Sequence, residues 1–344
     1  TDPLHATRSG RRPRAGRGLR PGPEVTRVRP GQLTLFEPTK WLPRRIDPRQ
    51  DSRWARAAVR VAQQCGLDDP TLWVNDPRGA ELANVTDWPL VHDITDDWLV
   101  AERPPAELAR LAEQERILLH DSAVVVVCSP RLVVTKGARR PVRLITNGVD
   151  TAAYADPGPR PSDLPPARVA LYVGTVHRDR IDLDLCEATA RAIQPQGRLV
   201  LLGPAPLPSA DGARLLDAGV VLLGSRPHDA VPSYLTHADV LVVPHRVTAF
   251  TDSLDPIKRY EYEAAGRPVV STAVAGFREW PAATVAGAED FPDAVRSALA
   301  EPAGAPATPI DHGLDWSNRV EAMQAVLDET RAVRRRLRRP SPKP

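Results

Sequence analysis

Twice along this chain, short runs of apolar residues alternate with stretches of helical spacing, and a proline-rich break separates the two series. In the first series, residues 53–64 have a helical pattern and residues 71–74 and 89–93 are apolar runs. Residues 102–120 form a long amphipathic pattern with Leu108, Leu111, Ile117 and Leu118 on one side. Four valines then fill residues 122–128, and 142–145 closes the series. Apolar runs this short, each followed by a helix, are what strands of a parallel sheet covered on both faces look like. The break comes at Asn147-Gly-Val-Asp150 and continues through residues 156–166, which hold five prolines and no periodic apolar pattern. Alternation resumes with strands at 168–173, 199–202, 220–223, 240–243 and 269–271, and helices at 183–193, 231–237 and 291–300. A final helix is expected over 316–337, with Val320, Met323, Val326, Leu327 and Val333 on one face.

The pattern predicts an α/β protein of two Rossmann-like, doubly wound domains. A length of 344 residues suits that number at roughly 100–200 residues per domain. The expected organisation is a disordered basic leader over 1–30, a first domain over 31–148 and a linker over 149–167. A second domain over 168–314, a helix over 315–337 packing back across the domains and a tail over 338–344 complete it. The leader scatters Arg11, Arg12, Arg14, Arg17 and Arg20 among glycine and proline with little to bury. It lacks interleaved aromatic residues, so no nucleic-acid partner is expected. No opening strand with a glycine loop precedes Val25, and the first sheet is therefore expected to be incomplete.

Bulk composition names no partner, because the formal charge is only +3. Arginine outnumbers lysine by 42 to four, which reads as genomic bias. Cys65, Cys128 and Cys186 are far apart and have no metal-ligand spacing, so neither a disulfide framework nor a zinc site is expected. With no disulfide framework, a reducing cytoplasm is the expected location, and no apolar stretch reaches the roughly 20 residues that span a bilayer.

The stretch Ser253-Leu-Asp-Pro-Ile-Lys-Arg-Tyr-Glu-Tyr-Glu-Ala-Ala-Gly-Arg-Pro-Val-Val-Ser-Thr272 reads as an anion site. Ser253 and Asp255 are good N-cap residues and Pro256 suits the first helical position, so a helix is expected to start near Asp255. Its unpaired N–H groups and dipole, with Lys258 in the first turn, would hold a phosphate. Glu261, one turn on, could accept hydrogen bonds from ribose-like hydroxyls. Gly266 and Pro268 end the helix before a short buried strand. The same residues also suit an ordinary αβ unit in which Lys258 and Glu261 are solvated.

Three pieces in order carry a resemblance: Leu144-Ile-Thr-Asn-Gly-Val-Asp150, the strand ending at Gly174, and Asp255-Pro-Ile-Lys-Arg-Tyr-Glu-Tyr-Glu-Ala-Ala-Gly-Arg-Pro-Val-Val270. The chain resembles GT-B-fold glycosyltransferases. It looks most like the retaining, nucleotide-sugar-dependent bacterial group related to teichuronic acid and exopolysaccharide glycosyltransferases, from roughly residue 34 to 337. The resemblance implies that Glu261 binds the donor ribose and Lys258 the diphosphate. Gly174 would let the N–H groups of Thr175 and Val176 approach phosphate, with Arg178 or Arg180 as a second cation. Thr175 stands where the wider pattern has an arginine, and Ser253 where it has a sugar-contacting glutamate. That duty would pass to Ser253, Leu254 and Asp255. Arg226, in Gly224-Ser-Arg-Pro227, would lie at the loop that frames the nucleobase.

In the first domain, Val91-His-Asp-Ile-Thr-Asp-Asp-Trp98 gathers three carboxylates and an imidazole at a strand end, where open α/β sheets bind ligands. His92 resembles the family histidine at the donor sugar, and with Asp93 and Lys258 it makes the catalytic set, although His92 by itself equally suits a satisfied core histidine. Asp96 and Asp97 would orient acceptor hydroxyls, or cap a helix before Trp98. The resemblance thus implies transfer of a hexose-type sugar from a nucleoside-diphosphate donor to a glycan, lipid-linked or small-molecule acceptor. The leaving phosphate would take the acceptor proton, and neither cofactor nor metal is expected. Two other readings stand beside it, a catalytically silent nucleotide-sugar-binding protein and a nucleotide-sugar epimerase. The basic end, Arg334 to Arg339, suits a solvated helix face or contact with anionic lipid at the inner membrane face.

Overall fold

The computed structural model describes residues 24–29, 33–37, 46–47, 49–301 and 311–337. An antiparallel hairpin, β1 (Glu24–Arg29) and β2 (Leu33–Glu37), comes first. It is followed by α1 (Gln50–Gln64), β3 (Leu72–Val74), α2 (Ala80–Ala83), β4 (Leu90–Ile94), α3 (Pro105–Asp121), β5 (Val124–Val127), α4 (Pro130–Gly137) and β6 (Arg143–Leu144). Strands β3, β4, β5 and β6 form a four-stranded sheet in that order, with β3–β4 and β5–β6 parallel. After α5 (Ala152–Ala155) come β7 (Arg168–Val173), α6 (Leu183–Ala192), β8 (Gly197–Leu202), α7 (Ser209–Asp217) and β9 (Val221–Gly224). Then follow α8 (Val231–Thr236), β10 (Val240–Val243), α9 (Ile257–Ala265), β11 (Val269–Ser271), β12 (Ala283–Val285), α10 (Phe291–Ala300) and α11 (Trp316–Leu337).

Contacts divide the described residues into two compact units: those of Thr1–Asp93, Pro104–Val125 and Leu327–Pro344, and those of Ile94–Arg103 and Val126–Val326. The second unit contains a six-stranded, all-parallel sheet of order β12-β11-β10-β7-β8-β9. The chain winds from β7 to one side, then returns to build the other side from β10. That reversal between β7 and β10 makes a crevice at their C-terminal ends, the place where such sheets bind ligands.

Alternation along the strands decides what fills each face. Val169, Leu171, Val173, Leu241 and Val243 enter one core, where Tyr262 and Phe277 are fully buried. Ala170, Tyr172, Val240 and Val242 enter the other, against Phe291 and Leu299. Both faces are apolar, which is why these strands read as continuous runs rather than as alternating patterns.

Several elements depart from the sequence expectation. Residues 24–29 are a strand, inside the span expected to be a disordered leader; residues 1–23 lie outside those described. The pattern over 102–120 becomes a helix from Pro105, because Pro104 and Pro105 fit a helix entrance and not its interior. The sequence pattern gives no sign of β2, α2, α4, α5, α7 or β12. Val320 is 65% exposed, and α11 instead buries Val326 and Thr330. The tail after Leu337, and with it the end of the basic run, lies outside the described residues. No helix among the described residues is long and apolar enough to cross a membrane.

Candidate functional site

Gly174 ends β7 at the reversal, with φ of +138°, a conformation that side chains strain. A Cβ there would lie 2.6 Å from Nζ of Lys258, so the absent side chain is what makes room for the ammonium. Lys258 comes from the first turn of α9, and its Nζ lies 5.2 Å from the centre of the Tyr172 ring. Among the described residues it has no carboxylate partner. Burial pushes its pKa down to about 8, with Arg180 adding to the effect and Glu261 opposing it.

Glu261, one turn along α9, is buried, and burial raises its pKa against the attraction of Lys258 and His228. It too makes no hydrogen bond within the described residues. The N–H groups of Leu254, Asp255, Ile257 and Lys258 are likewise unpaired there, as at any helix start. A partly buried cation, open N–H groups and a carboxylate therefore converge on the strand end without satisfying one another.

Two residues complete the cluster, one just after the neighbouring strand and one from the segment paired with that end. His245 follows β10 and is buried, with Nε2 3.2 Å from the Tyr172 hydroxyl. Burial, then Lys258, then Arg180 hold its pKa well below the usual histidine value, so its ring is neutral. Arg180 is brought in by backbone pairing of the 180–182 segment with Pro244 and Arg246. Among the described residues no carboxylate is bonded to its guanidinium, which lies 5.5 Å from the Phe250 ring centre; Phe250 in turn packs on Trp98. His245 carried no motif. Its only signal was its place just after a buried strand.

Several residues expected at the site have other partners. Arg178 makes a two-pronged ion pair with the buried Asp211 of α7, and Arg180 is the arginine that faces Lys258. Arg226 is held by Asp163, the Tyr234 hydroxyl and the carbonyls of Leu223 and Ser225. Val176 N–H donates to the Pro204 carbonyl, leaving only Thr175 N–H open at the glycine turn. Ser253 is buried, its hydroxyl donating to the Phe250 carbonyl at 2.7 Å and its carbonyl accepting from the Ser129 hydroxyl at 2.7 Å. Leu254 is partly buried beside it.

Asp255 does not cap α9, which begins at Ile257 with Pro256 at the cap position and no side-chain cap. Its carboxylate instead accepts from Asn147 N at 2.5 Å and from the Tyr260 hydroxyl at 2.8 Å, and its carbonyl accepts from Asn147 Nδ2 at 2.7 Å. The Asn147-Gly-Val-Asp150 turn is thus a clamp on the start of α9. Gly266, at φ of +63°, ends that helix as expected.

Asp97 is paired with Lys136 at 2.9 Å, both side chains 5% exposed, and no helix follows it directly. Asp96 is half-buried and accepts from the Thr95 hydroxyl; burial raises its pKa and Arg180 opposes this. In the first unit, His92 Nδ1 lies 3.0 Å from the Val74 carbonyl, inside β4. Asp93 accepts from Trp73 Nε1 at 3.0 Å and Asn75 Nδ2 at 2.9 Å, while burial raises its pKa. Asp182 and Asp184 have Asp-x-Asp spacing, but Asp182 caps α6 and Asp184 pairs with Arg214.

Residues 167–301 match the model of the family described as glycosyl transferases group 1. No curated protein matches the chain. Among solved structures, the chain is similar to α,α-trehalose 6-phosphate synthase from Burkholderia multivorans, at 13% identity and a TM-score of 0.63, covering 94% of this chain and 89% of that one. A glycosyltransferase from Rickettsia africae ESF-5 aligns at 11% identity and a TM-score of 0.61, covering 85% and 84%. Anabaena Alr3699/HepE, solved in complex with UDP and glucose, aligns at 16% identity and a TM-score of 0.58, covering 82% and 83%. At these identities the likeness establishes the fold, which is the GT-B arrangement of Rossmann-like domains.

Proposed function

We propose that this chain is a glycosyltransferase that moves a hexose-type sugar from a nucleoside-diphosphate donor to a glycan, lipid-linked or small-molecule acceptor, with retention. The observation that carries this reading is the Lys258 ammonium, seated against Gly174 without a carboxylate, at the open start of α9 and one turn from an unbonded Glu261. A diphosphate would supply the missing negative charge, and Glu261 would accept from ribose hydroxyls. Departure of the diphosphate builds charge where Lys258, Arg180, Thr175 N–H and the α9 N–H groups converge, and fixed dipoles act most strongly on such developing charge. His92 and Asp93 are assigned to the donor sugar, Asp96 to the acceptor. The reaction is placed in the cytoplasm, at the membrane face where the acceptor is lipid-linked, in assembly of envelope polysaccharide.

Calorimetry with UDP, UDP-glucose and GDP-mannose tests the reading, UDP coming first because HepE is solved with it. Glu261→Ala is expected to weaken the bound nucleotide roughly 10- to 100-fold, the worth of hydrogen bonds to a charged group. Absence of binding by every nucleotide in that set would remove the proposal. Ser253 favours a second reading, a silent nucleotide-sugar-binding protein, since its hydroxyl turns into the Phe250 carbonyl where the family's glutamate would meet the sugar. Binding without hydrolysis or transfer would select it.

The Lys258 pKa of about 8 sets a pH dependence. Only the ammonium attracts diphosphate, so kcat/KM is expected to fall above pH about 8, with one proton lost. Bound diphosphate favours the charged lysine, so the corresponding limb of kcat lies at higher pH. A kcat/KM profile flat from pH 7 to 9.5 would contradict this assignment.

A further inference from the structure

The first unit contains a pocket of about 460 Å³, lined by Asp51 and Trp54 of α1, Trp73 of β3, and Asn75, Asp76 and Arg78 of the turn that follows. Its volume falls in the range of small-molecule sites, about 300–1,000 Å³. All of its lining comes from residues 51–82, so it is a site of its own and shares no residue with the cluster at Lys258.

The wall chemistry narrows the ligand. Trp73 is 39% exposed although it stands in a strand, and its indole is fixed by donation to Asp93 at 3.0 Å, with Asn75 bonded to the same carboxylate oxygen. The Trp54 Nε1 is buried with no acceptor among the described residues, an unmet donor in the wall. Arg78 is bound through its side chain to the Asp76 carboxylate, and Asp76, Glu107 and Asp51 all hold its charge in place. With the guanidinium committed in this way, the pocket offers no open cation to an anionic ligand. Asp51, Asp76 and Glu107 share that one guanidinium, so the rim keeps carboxylate oxygens as acceptors. What is left is two indoles for apolar C–H surfaces and a rim of amide and carboxylate oxygens for hydroxyl donors.

We propose that this pocket binds a neutral saccharide ring, its C–H face against Trp54 or Trp73 and its hydroxyls on Asn75 and Asp51. The assignment does not depend on the nucleotide reading of the second unit. It is tested by saturation-transfer NMR and calorimetry on the full chain with glucose, galactose, N-acetylglucosamine, maltose and cellobiose. At least one of these is expected to bind saturably, and Trp54→Ala is expected to weaken that binding at least tenfold while UDP affinity stays within twofold. Asp51→Asn, a smaller change that guards against misfolding of the tryptophan variant, is expected to weaken it three- to tenfold. No binding by any of the five sugars would overturn the proposal. So would sugar binding unaffected by both substitutions, or binding of choline in place of the sugars.

Discussion

Lys258→Ala is expected to lower the rate of sugar transfer by about 10²- to 10³-fold, the loss found when one fixed donor to a developing charge is removed. The fold should survive, for reasons that lie in the same geometry. The Lys258 ammonium is held against Gly174 and Tyr172 with no ion-pair partner among the described residues, and burial is the largest influence on its pKa. Its folded value of about 8 lies below the roughly 10.4 of a free lysine. The unfolded chain therefore holds this proton more tightly between those values, and stability rises as pH increases through that window. Below pH 8 the cost of enclosing the charge is fully present, and alanine removes it. At pH 7 the variant should melt no lower than the parent by circular dichroism while losing turnover. Unchanged turnover, or loss of turnover only through unfolding, would sink the role assigned to Lys258.

How much of this site could be read from the sequence depended on the range of the interaction involved. The α9 segment was legible because its signals are local: a proline at the entrance, Gly266 at the exit, and Lys258 and Glu261 three residues apart on one helix. Lysine was informative here because the chain has only four. Arginine was not. Arg178 and Arg226 looked available but are bound to Asp211 and Asp163, 33 and 63 residues away, and no local pattern announces such pairs. Asp255 has the composition of a helix cap, yet Asn147, 108 residues earlier, claims its carboxylate. His245 was passed over, and Arg180 could not be ranked against Arg178, because their importance comes from strand order. Only once β10 is known to lie beside β7 does the end of β10 become part of the crevice.

The two-domain alternation was legible for a related reason. Strands buried on both faces must be apolar throughout, so β5, β7 and β10 announce themselves, whereas β12, with two of its three residues exposed, has little apolar signal to show. The same exposure logic explains Val320. Its spacing fits the apolar face of α11, but spacing does not say where along a helix the packing begins, and the buried positions start further on.

Replacing Lys136 by methionine is expected to destabilise the protein by about 3–5 kcal/mol, because it strands a buried carboxylate rather than merely deleting an ion pair. Lys136 Nζ lies 2.9 Å from Asp97, and neither side chain is more than 5% exposed. Asp97 also accepts from the Leu99 N–H at 3.3 Å, so the pair fixes the turn that carries Trp98 toward Phe250. Asp97→Asn, which keeps an acceptor for Leu99, should cost less, and the double variant should cost less than the sum of the two. Urea unfolding of the four proteins measures this coupling. The comparison also decides between two uses of Asp97. If it oriented an acceptor hydroxyl, Asp97→Asn would reduce transfer at undiminished stability; as a structural anion it should change stability first, and Lys136→Met should lose activity only to the extent that it unfolds. A cost below 1 kcal/mol for Lys136→Met would show that the pair does not hold this segment, and would return Asp97 to the acceptor.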